Sequence, residues 1–203
     1  MSLDGFVAGP EPSLDDPLGQ GGERLHEWVI PTASWRAHHG LEGGEEGVDS
    51  DISAESTANV GAYLMGRRMF SGGSGPWEDD PNPSGWWGDT PPFGVPVFVL
   101  THDAREPLAL TGTTFSFVTE GIEAALARAR EAAGDKDIQI AGGADIAQQY
   151  LRAGHVDELQ IHVAPILLGS GTRLFDDVAG VELEQTRVVG SDRAAHLRYR
   201  VVR

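Results

Sequence analysis

From residue 95 onward, short apolar runs alternate with helical periods, and this alternation limits the fold more than any other feature. Residues 95–100 (VPVFVL) and 114–118 (TFSFV) are apolar runs suited to buried strands. Residues 122–133 (IEAALARAREAA) carry a helical period, with Gly134 as the stop. Residues 137–141 (DIQIA) read as a strand, 144–153 as a helix ended by Gly154, and 156–164 (VDELQIHVA) as a further strand. Residues 181–189 and 196–202 read as a closing antiparallel pair, in which Leu197, Tyr199 and Val201 alternate with His196, Arg198 and Arg200. Strands and helices in alternation imply an α/β fold with a mainly parallel central sheet, an antiparallel C-terminal edge and helices on both faces. Upstream, residues 52–70 read as a helix running into a short strand, with Asp51 or Ser53 as its N-cap. Residues 8–24, 40–51 and 71–94 read as loops, and the last of these holds three of the five tryptophans. A loop of that length in a compact domain is functional or mobile.

The length, 203 residues, fits one domain spanning 1–203. The formal charge of −16 argues against a nucleic-acid binder. The acidic excess is concentrated in residues 1–60, which hold 12 acids and two bases. With no cysteine, the chain has no disulfide, thiolate metal site or thiol nucleophile. No run approaches the ~20 apolar residues of a membrane span, and the start (MSLDGFVAGP) has no signal-peptide pattern. The expectation is a cytoplasmic protein with no membrane partner. His38 and His39 are adjacent and diverge, and the other histidines lack ligand spacing, so no metal site is expected.

A Gly-x-Gly-x-x-Gly fingerprint, a Walker loop and a nucleophile elbow are all missing. Three short pieces remain, and they share one theme. In LMGRRMF (64–70) an apolar segment ends at Gly66, Arg67 and Arg68, and arginine forks suit phosphate. In LTHD (100–103) Thr101 and His102 follow a strand directly, where ligands bind open α/β sheets. In IAGGAD (140–145) a strand turns through Gly142 and Gly143 into a helix, so the backbone can approach a pyrophosphate. Together they describe a nucleotide lying across the carboxyl edge of the sheet.

The segments SLDGFVAG (2–9), LMGRRMF (64–70), VFVLTH (97–102), the long stretch 140–175 and HLRYRVV (196–202) resemble the dihydrofolate reductase-like superfamily. The likeness is strongest to the reductase domain of riboflavin biosynthesis. The resemblance implies NADPH as cofactor, a small-molecule pyrimidine or pterin-like substrate, and a homodimer. It implies that Gly66, Arg67 and Arg68 hold the adenosine-side phosphates, with Arg67 on the 2′-phosphate. Thr101 and His102 would flank the ribose and its phosphate. Ala141, Gly142, Gly143, Ala144 and Asp145 would form the pyrophosphate turn. Dihydrofolate reductases carry three glycines at this turn and a cis peptide between the first two; here Ala141 stands in the first place, at Ala141–Gly142. On the substrate side the resemblance implies catalytic roles for Asp4 and His162. The helix carboxylate of dihydrofolate reductases has no match among residues 24–40 beyond Glu27 by position. Family members carry a full strand before SLDG, so the resemblance implies a central strand that is shortened or missing here, or a misassigned start. Lack of cysteine implies a reductase without the zinc deaminase domain that often accompanies it. Dihydrofolate reductase activity, and a non-catalytic nucleotide- or flavin-binding module, are the alternatives.

Overall fold

The computed structural model describes residues 1–80 and 82–203; position 81, within the segment read as a long loop, lies outside the described residues. In chain order the elements are β1 (Phe6–Ala8), α1 (Ala33–His38), α2 (Val48–Thr57), β2 (Val60–Gly66), α3 (Arg67–Ser71), β3 (Val97–Leu100), β4 (Leu108–Leu110), β5 (Thr113–Val118), α4 (Ile122–Ala133), β6 (Asp137–Gly142), α5 (Ala144–Arg152), β7 (Glu158–Val163), β8 (Thr172–Arg173), β9 (Glu182–Gly190) and β10 (Ala195–Val202). They form two compact units. One is Asn59–Ala147; the other joins Met1–Ala58 to Gln148–Arg203.

The Asn59–Ala147 unit is built on a five-stranded sheet of order β4-β5-β3-β2-β6. All of its pairings are parallel except β4 with β5. Alternation along the strands sends Tyr63, Met65, Val97, Val99, Phe115 and Phe117 to one face, where they form a buried cluster with Phe70. Trp77, Trp87 and Phe93, all from the segment read as a long loop, pack against that cluster. The loop therefore owes its order to aromatic burial; Trp77–Asp79 forms a single 3-10 turn within it. On β2 and β3, α4 packs with Ala125, Leu126, Ala129 and Ala133 buried. The small residues let it approach closely. A Cβ at Gly61 of β2 would lie 2.9 Å from the Ala133 backbone.

The other unit holds an antiparallel sheet, β7-β10-β9, and the short pair β1-β8. The mainly parallel central sheet and the antiparallel C-terminal strands are both present. However, β9 and β10 pair with β7 in a sheet of their own, while the antiparallel edge of the central sheet is β4. Along β9 almost every residue is exposed, which fits a polar strand at a sheet edge.

The helical and strand readings of the second half agree with the structure to within a few residues. Upstream the differences are larger. The helix begins at Val48 and its N-cap is Gly47, not Asp51 or Ser53. Asp49 and Asp51 lie inside its first turn, where carboxylates complement the free N–H groups. The stretch after Gly66 is a five-residue helix rather than strand, and α1, β4 and β8 lie in segments that carry no periodic signal.

Candidate functional site

Three adjacent parallel strands carry the three sequence pieces. Register places Gly66 of β2 opposite Leu100 of β3, and Met65 of β2 opposite Gly142 of β6. Gly66-Arg67-Arg68, Thr101-His102 and Ala141-Gly142-Gly143 therefore emerge together at one carboxyl edge. The sequence could name the pieces, but only the strand order β3-β2-β6 makes them neighbours.

Each piece has its own local reason. Gly66 allows α5 to seat: a Cβ there would lie 3.0 Å from Ile146 Cγ1. Thr101 is buried, and its Oγ1 accepts from Asp103 N–H at 3.2 Å, closing the turn that leaves His102 exposed. Gly142 has φ +127°, a conformation side chains rarely adopt, and its peptide to Gly143 is cis. The cis bond is thus one residue later than the Ala141–Gly142 position the resemblance implied. Both residues flanking it are glycine, so the Ala141 side chain need not enter the turn. Around Gly143 the space is open, with no atom within 4 Å of a Cβ built there. Its carbonyl accepts from Ala147 N–H, so the turn runs directly into α5; Ala144 is buried and Asp145 exposed.

The two arginines differ. Arg68 is exposed. Arg67 is 9% exposed and turned inward. Its guanidinium pairs with Asp80, donates to the Ser71 hydroxyl, and stacks over Trp77 with Cζ 3.4 Å from the ring centroid. Ser71 Oγ also donates to Asp80 Oδ2 at 2.8 Å, and Asn82 N–H donates to Oδ1 at 2.8 Å. Burial pushes the Asp80 carboxyl up, but these donors and Arg67 outweigh it and hold the group below the usual carboxylate range. Asp80 thus occupies Arg67 much as a bound anion would. Trp77 is itself fixed, its Nε1 donating to Asp103 O at 2.8 Å, and Arg105 lies 4.7 Å from its ring centroid. Asp80, Ser71, Trp77 and Arg105 all fall outside the sequence reading. Their signal was the Arg-Arg pair followed by an acidic, tryptophan-bearing loop, and no spacing rule links the two.

Asp4 and His162 belong to the other unit. The Asp4 carboxylate accepts from Gly169 N–H at 2.7 Å and Leu168 N–H at 3.2 Å. It is held down to about 2, first by the Ser2 hydroxyl and then by these N–H groups. At neutral pH it is an ionised cap on the 168–169 turn and has no proton to give. His162 Nδ1 lies 2.9 Å from His196 Nδ1, and His196 Nε2 lies 2.8 Å from Asp49 Oδ1. Trp28 covers both rings, with centroid separations of 4.7 and 5.0 Å. Burial, followed by the neighbouring His196 ring, pushes His162 down to about 4. Glu27 is exposed. No group of three metal-ligating side chains occurs among the described residues, and none of their helices is long and apolar enough to cross a membrane.

Glycine turns and exposed cations at the carboxyl edge of a parallel sheet lie where open α/β folds place their ligands. The chain belongs to the RibD C-terminal domain family, whose pattern matches residues 1–196. It is similar to YwjB of Bacillus subtilis strain 168, an uncharacterised protein: 34% identical over 87 residues, 41% of this chain and 48% of YwjB. The chain therefore aligns with about half of that relative. Among solved structures, it shares its fold with a protein from Shewanella sp. PV-4 named for riboflavin biosynthesis, at TM-score 0.65 and 21% identity, covering 100% of this chain and 96% of that one. It also shares it with the Thermotoga maritima diaminohydroxyphosphoribosylaminopyrimidine deaminase/5-amino-6-(5-phosphoribosylamino)uracil reductase, at TM-score 0.57 and 16% identity, covering 99% of this chain and 54% of that one. For RibD of Acinetobacter baumannii the TM-score is 0.57 and the identity 18%, covering 100% and 56%.

Proposed function

We propose that this protein is a cytoplasmic, NADPH-dependent reductase of the riboflavin-biosynthesis type, acting on a 5-amino-6-(5-phosphoribosylamino)uracil-like pyrimidine. The observation that carries the reading is the convergence of three glycine- and cation-bearing turns on the carboxyl ends of β3, β2 and β6. The residues suit a dinucleotide. The open space at Gly143 and the positive φ of Gly142 leave room for a diphosphate against the backbone. Exposed Arg68 and His102 are free to meet the adenosine-side phosphates, and Thr101 shapes the turn between them. Ala141, Ala144 and Asp145 complete the turn into α5.

Because Arg67 is taken by Asp80, its part is to anchor the loop beneath the phosphate site, and Arg68 supplies the contact to the 2′-phosphate. The nicotinamide, when bound, supplies a hydride. His162 is the proton-exchanging group on the substrate side, and Asp4 shapes the 168–169 turn. The reading includes a homodimer through the exposed β9 face, where Val188 is 55% exposed; a monomer in sedimentation at micromolar concentration would refute that part.

Titration of tryptophan fluorescence with NADPH and NADH tests the cofactor. NADPH should bind at least tenfold more tightly, and Arg68→Ala should remove most of that preference. NADPH oxidation with 5-amino-6-(5-phosphoribosylamino)uracil tests the reaction. Equal affinity for the two cofactors would sink the 2′-phosphate assignment, and binding without turnover on pyrimidine and pterin substrates would favour a non-catalytic module.

A further inference from the structure

The two turns that carry Arg68 and His102 leave neighbouring strands. Gly66 of β2 pairs with Leu100 of β3, so each cation stands two residues beyond the same rung of the sheet. Both side chains are exposed, so their placing rests on the backbone beneath them. A single side chain is tied to both turns: Trp77, from the loop that joins α3 to β3. The loop delivers it by a local device. Trp77–Asp79 is a 3-10 turn, and Asp80 N–H closes it on the Trp77 carbonyl at 3.2 Å. Residues three apart stand over one another in such a turn, so Trp77 and Asp80 meet the same guanidinium. Asp80 pairs with Arg67, and the Trp77 ring lies against it with Cζ 3.4 Å from the centroid. Arg67 directly precedes Arg68.

The other turn is held by the edge of the same indole. Trp77 Nε1 donates to the Asp103 carbonyl at 2.8 Å, and Asp103 directly follows His102. From within, Asp103 N–H closes that turn on Thr101 Oγ1 at 3.2 Å. Arg105 then returns to the loop. Its Cζ lies 4.7 Å from the Trp77 centroid, and its guanidinium donates to the Pro83 carbonyl. The negative face of the ring favours both neighbouring cations. Phe117 of β5 backs the indole edge-to-face, with centroids 4.8 Å apart. The sheet thus fixes the indole, and the indole fixes the residues next to Arg68 and His102.

We propose that Trp77 is a positioning residue of the cofactor site, setting the spacing of Arg68 and His102 for the phosphates on the adenosine side of the dinucleotide. This deepens the reductase reading and rests on it. Only the adenosine half of the cofactor is concerned, and every residue named belongs to the Asn59–Ala147 unit. The physical gain is preorganisation. Two exposed cations on separate turns are held ready, so binding does not have to order them. Ordering one such side chain is worth about two- to tenfold in affinity. The indole makes its two contacts with different parts, so they can be separated. Trp77→Phe keeps an aromatic face for Arg67 and removes the donor to Asp103. Trp77→Leu removes both.

Calorimetric titration of the full chain with adenosine 2′,5′-bisphosphate and with 5′-AMP tests this without turnover, since the two differ only in the 2′-phosphate. Wild type should prefer the bisphosphate by about tenfold or more. Trp77→Phe should cut that preference about threefold and Trp77→Leu about tenfold, with 5′-AMP little changed. A purely structural role would weaken both ligands alike or neither, so the ratio is the readout. In NADPH oxidation, the KM for NADPH should rise by the same factors, against a smaller change in kcat. If Trp77→Leu does not fold, Trp77→Phe decides. A preference that survives Trp77→Phe, or two ligands weakened equally, overturns the inference and leaves the reductase reading standing. A wild type that binds neither ligand nor NADPH overturns both.

Discussion

Removing the Asp80 charge should destabilise the protein far more than an ordinary loop substitution. The Asp80 side chain is fully buried and that of Arg67 is 9% exposed. Asp80→Asn leaves the guanidinium buried with no counter-charge. The new amide also cannot satisfy its neighbours. Ser71 Oγ–H and Arg67 donate to one oxygen and Asn82 N–H to the other, so either amide orientation turns an NH₂ towards a donor. Breaking one side of a buried pair costs about 3–5 kcal/mol. For a chain of this size each kcal/mol lowers Tm by roughly 2–4 °C, so the expected fall is about 6–20 °C. The depressed carboxyl of Asp80 adds a sign. The contribution is present above the ordinary carboxylate range and is lost as pH falls through the lower folded value, so wild type and variant should converge in acid. Thermal and urea unfolding followed by tryptophan fluorescence would measure this, because Trp77 stacks on Arg67. The double variant Arg67→Met/Asp80→Leu has no uncompensated charge and should recover most of the loss. A single variant melting within about 1 °C of wild type, or a double variant showing the full sum of both losses, would refute the argument.

Gly61→Ala should destabilise by about 1–3 kcal/mol, since the new methyl meets the Ala133 backbone at 2.9 Å and must lift the end of α4 from β2; chemical denaturation would show it. Phe70→Ala should cost about 3–5 kcal/mol in the same assay, because Phe70 is 0% exposed and packs on Phe115 and Phe117 at centroid distances of 5.0 and 5.2 Å. His162 is depressed to about 4, so between there and its ordinary range the unfolded chain binds the extra proton. Stability should therefore fall as pH drops through that window, and His162→Gln should flatten the slope measured by urea unfolding at several pH values.

The regular elements beyond residue 95 were legible because each carries its own period. The residues 122–133 place apolar side chains at helical spacing, and α4 runs over those same positions. Residues 196–201 alternate, and β10 follows them. Residues 48–57 were harder, since polar residues dominate them and the start depends on Gly47. Both β4 and β8 are too short for a period and exist through their partners. The long tryptophan-rich segment gave no local signal of order, because what orders it is the aromatic face of a sheet formed by residues before and after it.

The candidate site divides in the same way. Gly66, Thr101 and Gly142–Gly143 were visible because glycine and hydroxyl residues directly after apolar strands have a local meaning. That they meet at one edge depends on strand order, which pairs residues far apart in the chain. Arg67 and Arg68 are alike in sequence and opposite in structure, because a carboxylate 13 positions beyond Arg67 captures one of them. Asp49, His162 and His196 lie in three separate segments; only His162 was singled out, by the resemblance, and nothing local in the sequence joins it to the other two. Local chemistry thus determined most of the regular elements beyond residue 95 and the turns that follow their apolar strands. Which cation is free and which carboxylate is occupied depend on contacts between distant segments, and only the folded chain decides those.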